Sequence, residues 1–151
     1  MSTAAERALA DPSLTAEERE NLELVLKFRG LPRSERSKYT VEGFRPSRKG
    51  MPNLEALKAP DAEGFTPESI PDREDEILDI IAKGDRVWAT WLIRGTHLGE
   101  LMGIAPTGRT VAVLEAGQWR ITDGLISEAW FFVDELGLLR ELGRTPTWEA
   151  S

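Results

Sequence analysis

The chain has 151 residues, 30% of them charged and 40% hydrophobic, enough for one domain with a real core. A net charge of -7 argues against a nucleic-acid partner, which wants clustered Lys and Arg against phosphate. With no cysteine and a single histidine, His97, disulfides, thiol nucleophiles and metal sites built on several Cys or His ligands are excluded. A carboxylate-only metal site stays formally open, but no Asp/Glu spacing resembles one. No apolar run approaches the ~20 residues a membrane span needs. Met1 to Asp11 lacks the basic-then-apolar pattern of a signal peptide, so the expected location is cytoplasmic.

Residues 1–14 carry no strong pattern and are expected to be flexible. Thr15-Ala16-Glu17-Glu18 then has the spacing of a capping box. Leu22, Val25, Leu26 and Arg29 recur at helical spacing, and Gly30 with Pro32 ends the helix, predicted from about Ala16 to Arg29. Residues 31–73 hold Pro32, Pro46, Pro52, Pro60, Pro67 and Pro71, and read as loops with a short helix near Asn53 to Lys58. Phe44, Met51, Leu54, Leu57 and Phe65 give this stretch something to bury, so it is expected to form a pocket wall or lid.

From Glu76 the pattern turns to strands. Glu76–Ala82, Arg86–Thr96, Thr110–Thr122 and Leu125–Asp134 are the predicted strands, with turns at Lys83-Gly84-Asp85 and at Asp123-Gly124. Leu136 to Leu142 is a closing helix stopped by Gly143. A leading helix before an antiparallel meander indicates an α+β domain.

The two-residue turn at Asp123-Gly124 predicts a register that pairs Gly117 with Trp130, Glu115 with Phe132 and Val113 with Asp134. Glu115, Trp119, Trp130, Phe132 and Asp134 then share a face, joined by Trp88, Thr90, Leu92 and Arg94 if His97 pairs near Thr110. Glu115 and Asp134 would lie on a diagonal, near enough to perturb each other's titration. Gly117 would leave room for the Trp130 indole. The other face carries Val87, Ala89, Trp91, Ile93, Leu114, Ala116, Phe131 and Val133. One small helix cannot cover both, so a homodimer through this second face is expected, with exchange of the two faces left open.

Six ordered motifs carry a resemblance. They are Gly84-Asp85-Arg86-Val87, Arg94-Gly95-Thr96-His97-x-Gly99-Glu100, Gly103-Ile104-x-Pro106-Thr107-Gly108-Arg109, Trp119-Arg120-Ile121-x-Asp123-Gly124, Ile126-x-Glu128-x-Trp130, and Asp134-x-x-x-Leu138-Leu139-x-x-Leu142-Gly143. Together they resemble the SnoaL-like polyketide cyclases, or ester cyclases, of the nuclear transport factor 2-like superfamily, over about residues 74–143. The resemblance implies a cone-shaped α+β fold around a deep apolar pocket, no metal or organic cofactor, and a dimer. It makes Asp134 the general acid/base of an intramolecular aldol condensation. Limonene epoxide hydrolase, in the same superfamily, has an Asp-Arg-Asp set that activates water. Arg94 matches its Arg, but Thr96 stands where its second Asp would be, and Glu115 could supply that carboxylate. Family members place a Tyr and a His after the first helix; Tyr39 is present and the His is not, so the lid is expected to differ.

Asp134 has two opposed readings, a proton carrier held among apolar residues or an N-cap of the closing helix. His97 is a partner acid/base or a loop-fixing ring, and Arg94 an oxyanion anchor or a simple ion pair. Asp134, His97, Arg94 and Glu115 are thus the catalytic candidates. Trp88, Trp119, Trp130, Phe132, Tyr39 and Met51 are the candidates for contact with an apolar small molecule. Three functions compete: an aldol-type cyclase, an epoxide hydrolase using Asp134, Arg94 and Glu115 around a water, and a non-catalytic binding protein.

Overall fold

Both N-terminal helices start on the same local chemistry. In α1 (Ala4–Leu9) the Thr3 hydroxyl accepts the Glu6 N–H, and the Glu6 carboxylate accepts the Thr3 N–H at 2.7 Å. In α2 (Ala16–Gly30) Thr15 and Glu18 repeat the exchange at 3.1 and 3.0 Å. Each box satisfies donors that a helix start leaves without partners. The segment expected to be flexible therefore holds a capped helix, which Arg19 ties to α2 by donating to the Leu9 carbonyl.

The computed structural model describes residues 1–48 and 65–145. These fall into two units by contact density, 1–48, 77–91 and 116–132 in the first and 65–76, 92–115 and 133–145 in the second. Met51 and the expected helix at Asn53–Lys58 lie outside the described residues. Part of the loop-rich stretch is structured: a 3-10 helix spans Arg33–Tyr39 and a two-residue strand, β1, spans Ser47–Arg48. Four long strands follow, β2 (Glu74–Lys83), β3 (Arg86–Thr96), β4 (Thr110–Thr122) and β5 (Leu125–Val133), then α3 (Glu135–Glu141). The sheet order is β1-β5-β4-β3-β2, with β1 parallel to β5 and the long strands antiparallel. The fold class is α+β, as expected. The β4–β5 turn places Asp123 at φ 51° and Gly124 at φ 76°, the positive pair a two-residue hairpin loop demands.

Glu18 ties α2 to the β2–β3 hairpin within the first unit. Its carboxylate accepts the Gly84 N–H at 2.9 Å as well as the Thr15 N–H, and Lys83 Nζ lies 3.3 Å away. Asn21 adds a bond from its amide to the Gly84 carbonyl at 3.1 Å. The Gly84 and Thr15 N–H groups, then Lys83, hold Glu18 at about 2, well below its ordinary 4.5. Because the folded value is the lower one, this stabilisation is complete above pH 4.5 and is lost as pH falls towards 2. Glu18→Gln is accordingly expected to lower the urea midpoint at pH 7. The gap to wild type should shrink steadily between pH 4.5 and 2; a gap constant across that window contradicts the account.

The largest departure from the expected register lies in β5. Ile126 and Ala129 are both buried, with Ser127 and Glu128 between them, so the inside–outside alternation slips by one residue. Trp130 Nε1 donates to Gln118 at 2.6 Å, and the Asp134 N–H donates to the Leu114 carbonyl at 2.9 Å. Trp130 therefore lies by Gln118 rather than Gly117, and Asp134 by Leu114 rather than Val113. An extra residue in one strand of an antiparallel pair has this effect, reversing every side chain beyond it.

Candidate functional site

The slip decides which aromatic rings meet. In the first unit Trp119 packs against Phe131 at 5.5 Å and Trp91 at 5.9 Å between ring centroids, and Trp91 meets Phe131 at 6.1 Å. A Cβ at Gly117 would stand 2.6 Å from the Phe131 ring and 2.9 Å from Trp91. That glycine makes room for Phe131 and Trp91, not for Trp130. The Arg29 guanidinium, from the last turn of α2, lies 3.7 Å over Trp91 and 5.6 Å from Trp119. Trp91 and Trp119 are each 1% exposed.

Trp119 is thereby separated from the rings it was expected to join. Trp130 packs edge-on to Trp88 at 5.1 Å, and Trp88 and Phe132 stay 40% and 39% exposed. Of the rings expected on one face, Trp119 instead joins Trp91 and Phe131 of the other expected face in a buried set, while Trp88, Trp130 and Phe132 form an open set. Tyr39, at the end of the 3-10 helix, lies under the Lys27 ammonium at 5.0 Å.

In the second unit Asp134 is exposed and caps α3, accepting the Gly137 N–H at 2.9 Å. Gly137 carries no Cβ where the Asp134 carboxylate lies, and that permits the close approach. The apolar enclosure expected around Asp134 is absent; the strand end turns it outward. It lines an open cleft of about 410 Å³ with Arg109, Ala112, Gly137, Arg140 and Glu141. Ala112 is exposed, whereas Val111, Val113 and Glu115 on the alternate positions of β4 are buried. Asp134 and Glu115 thus point to opposite faces of the sheet, and the expected diagonal pair does not form.

Glu115 is 7% exposed, a carboxylate on the apolar side of a central strand. Arg94 does not balance it. The Arg94 side chain is 53% exposed and pairs with Glu76 at 3.2 Å. Thr96, at the position of the hydrolase's second Asp, gives its N–H and hydroxyl to Asp72, both at 2.7 Å. These bonds hold the Asp72 carboxyl below its usual range.

His97 is fully buried in the loop between β3 and β4. Its Nδ1 accepts the Thr107 N–H at 3.2 Å and lies 3.0 Å from the Thr107 hydroxyl, so the ring proton sits on Nε2. Nε2 has no hydrogen-bond partner among the described residues. The backbone closes the same loop, His97 N–H to Arg109 O and Gly108 N–H to His97 O, both at 2.9 Å. Among the described residues no group of three His, Asp or Glu could hold a metal ion. Nor is any helix among them long and apolar enough to cross a membrane.

Comparison with known proteins matches this architecture to a family. The SnoaL-like polyketide cyclase model matches residues 61–142, more than half of the chain. The chain belongs to the SnoaL-like polyketide cyclase family, with the nuclear transport factor 2-like fold. A protein from Jannaschia sp. CCS1, provisionally assigned as a SnoaL-like polyketide cyclase, is 22% identical with a TM-score of 0.70, over 90% of this chain and 100% of that one. AclR from Streptomyces galilaeus, provisionally assigned as a hydroxylase, is 25% identical with a TM-score of 0.69, over 87% and 90% of the two chains. IdmH from Streptomyces antibioticus, provisionally assigned as a polyketide cyclase, is 25% identical with a TM-score of 0.55, over 92% and 96%. None of the curated proteins matches the chain.

Sequence reasoning missed Trp91 and Arg29 as members of a site. Arg29 was counted with the apolar stripe of α2, and that position already put it on the inward face. Trp91 was placed on a covering face because His97 was expected to pair near Thr110; the His97 N–H instead donates to the Arg109 carbonyl, a shift of one residue that brings Trp91 to the side of Trp119.

Proposed function

We propose that the chain is a cofactor-independent enzyme that rearranges an apolar, polyketide- or terpenoid-like small molecule by acid/base catalysis of the intramolecular aldol type. A carboxylate takes a proton from a carbon alpha to a carbonyl. The resulting enolate carbon attacks a second carbonyl of the same molecule, and the new alkoxide regains the proton. One C–C bond forms, no atom is lost, and the product is an isomer of the substrate. Family membership supports the class of reaction.

Burial of Glu115 carries the choice of proton carrier. At 7% exposure it is removed from bulk water on the apolar side of β4, where a carboxylate can meet an apolar substrate. Asp134 remains as a second reading, favoured by the cleft it lines. Hydration of an epoxide loses its support, because that reading needs Asp134, Arg94 and Glu115 around one water. Those two carboxylates face opposite ways and Arg94 is engaged with Glu76.

The test is mass spectrometry on poly-β-carbonyl aromatic substrates incubated with the protein. The expected product has the mass of the substrate and one carbonyl fewer. Labelled diol from an epoxide panel in oxygen-18 water, with no isomer formed from the carbonyl substrates, would instead establish the hydrolase.

The open set of rings also supports a homodimer. The covering face expected in the sequence, with Val87 and Trp91, is already buried within the chain at 0% and 1% exposure. The face that invites a second copy is therefore the exchanged one, bearing Trp88, Trp130 and Phe132.

A further inference from the structure

We propose that the cleft between α3 and β4 is a second binding site, shaped for a linear zwitterion of the ω-amino carboxylate class. It lies on the face of β4 opposite Glu115 and goes beyond the reaction proposed above. Both of its walls belong to the second unit. At one end the Asp134 N–H bonds the Leu114 carbonyl, and at the other Arg109 Nη1 donates to the Glu141 carbonyl at 3.5 Å. The helix therefore runs back along the strand, with the cleft between them. Ala112 and Gly137, the lining residues with the least side chain, leave it about 410 Å³, within the range of small-molecule sites. Its other lining residues, Arg109, Asp134, Arg140 and Glu141, are all charged.

The charges are ordered along the cleft. Asp134 stands alone at the start of α3, whereas Arg140 and Glu141 lie in its last turn beside Arg109. One end carries a single negative charge and the other a net positive one, about 9 Å apart along the axis at ~1.5 Å per residue. Arg109 is held in place by shape: a Cβ at Gly143 would stand 2.9 Å from its guanidinium carbon. Among the described residues neither guanidinium pairs with a carboxylate, and Asp134 commits only Oδ1, to the Gly137 N–H. Opposite charges thus share the cleft without neutralising one another, and both ends are open to a ligand. An ammonium at Asp134 and a carboxylate shared by Arg109 and Arg140 satisfy both at once. A lone anion meets Asp134 and Glu141 without compensation, and a lone cation meets the two guanidiniums. The helix dipole opposes this orientation, but its partial charges are outweighed by the full charges of the side chains.

Chemical-shift titration of the nitrogen-15-labelled chain with 6-aminohexanoate, hexanoate, hexylamine and glycine tests the site. The expected shifts centre on the Ala112, Gly137 and Arg140 amides. 6-Aminohexanoate is expected to bind about three- to tenfold more tightly than hexanoate or hexylamine, each of which lacks one charge. Glycine, whose charges stand too close together to span the cleft, should be as weak as they are. Arg140→Gln is expected to bind 6-aminohexanoate and hexylamine alike, because the carboxylate has lost its partner. Asp134→Asn, which keeps the helix cap, should bind 6-aminohexanoate and hexanoate alike. Ala112→Phe fills the floor, leaves all four charges in place and should abolish binding. No binding by wild type, as expected if the charges are only solvated, overturns the proposal. So do shifts centred elsewhere, hexanoate as tight as 6-aminohexanoate, or affinity unchanged in Ala112→Phe. Binding is read without turnover, so its failure leaves the aldol reading standing, and failure of that reading leaves the site standing.

Discussion

Glu115→Gln is expected to reduce turnover by about 10²–10⁴-fold, the contribution of one positioned acid/base group. The substitution keeps the shape and polarity of the side chain and removes only its ability to carry a proton. An unchanged circular dichroism spectrum would show that the buried position still folds. Asp134→Asn should leave turnover close to wild type, because the Asp134 carboxylate is exposed and holds the Gly137 N–H at the start of α3. Asn is as good an N-cap as Asp, so this variant should also keep its stability. Asp134→Ala, in contrast, should cost about 0.5–2 kcal/mol of stability through loss of the cap. If Asp134→Asn abolishes turnover while Glu115→Gln preserves it, the assignment is reversed. Steady-state kinetics on any substrate the wild type converts decides the matter.

Trp88→Glu is expected to convert a dimer into a monomer. In the first unit Trp88 and Phe132 leave 40% and 39% of their surface open, and Trp130 packs edge-on against Trp88. In the second unit Leu114, at an outward position of β4, is 46% exposed. Large rings on the open side of a sheet are poorly accommodated by water, and pairing with a second copy of the same face removes them from it. A carboxylate at the centre of such an interface would be buried without a partner, which typically costs several kcal/mol. Multi-angle light scattering should give twice the 16.8 kDa chain mass for wild type and the single mass for Trp88→Glu. A monomeric wild type would refute the proposal. An unchanged dimer in the variant would place the interface elsewhere.

Much of the fold was readable before any coordinates. Thr15 and Glu18 announced the start of α2, and β3 and β4 begin and end at the predicted residues. The Asp123-Gly124 turn was equally plain, since few sequences tolerate two successive positive φ angles. Thr3 and Glu6 carry the same capping signal as Thr15 and Glu18, so α1 is legible in the sequence too. The candidate site was read less well, chiefly because strand register decides which side chains meet. Side chains alternate strictly along a strand, so a single inserted residue near Ser127 and Glu128 exchanges the faces of everything after it. Phe131 thereby joins Trp119 and Asp134 leaves Glu115, while Trp88 stays with Trp130 because β3 is also shifted by one residue, His97 bonding Arg109 rather than pairing near Thr110. No local residue type marks that slip. Arg94 and Glu76 illustrate a second limit, because a surface ion pair between strands depends on a register the sequence does not state. Burial of Glu115 is reachable from its alternation with Val111 and Val113 along β4.

Exchange of the acidic substrate C–H with solvent deuterium tests the central claim most directly, since it reports proton removal whether or not the ring then closes. Nuclear magnetic resonance of a 1,3-dicarbonyl aromatic substrate in deuterium oxide would follow it. The account predicts exchange accelerated by wild type and by Asp134→Asn, and reduced to the uncatalysed rate with Glu115→Gln. Acceleration that survives in Glu115→Gln and disappears in Asp134→Asn would contradict it.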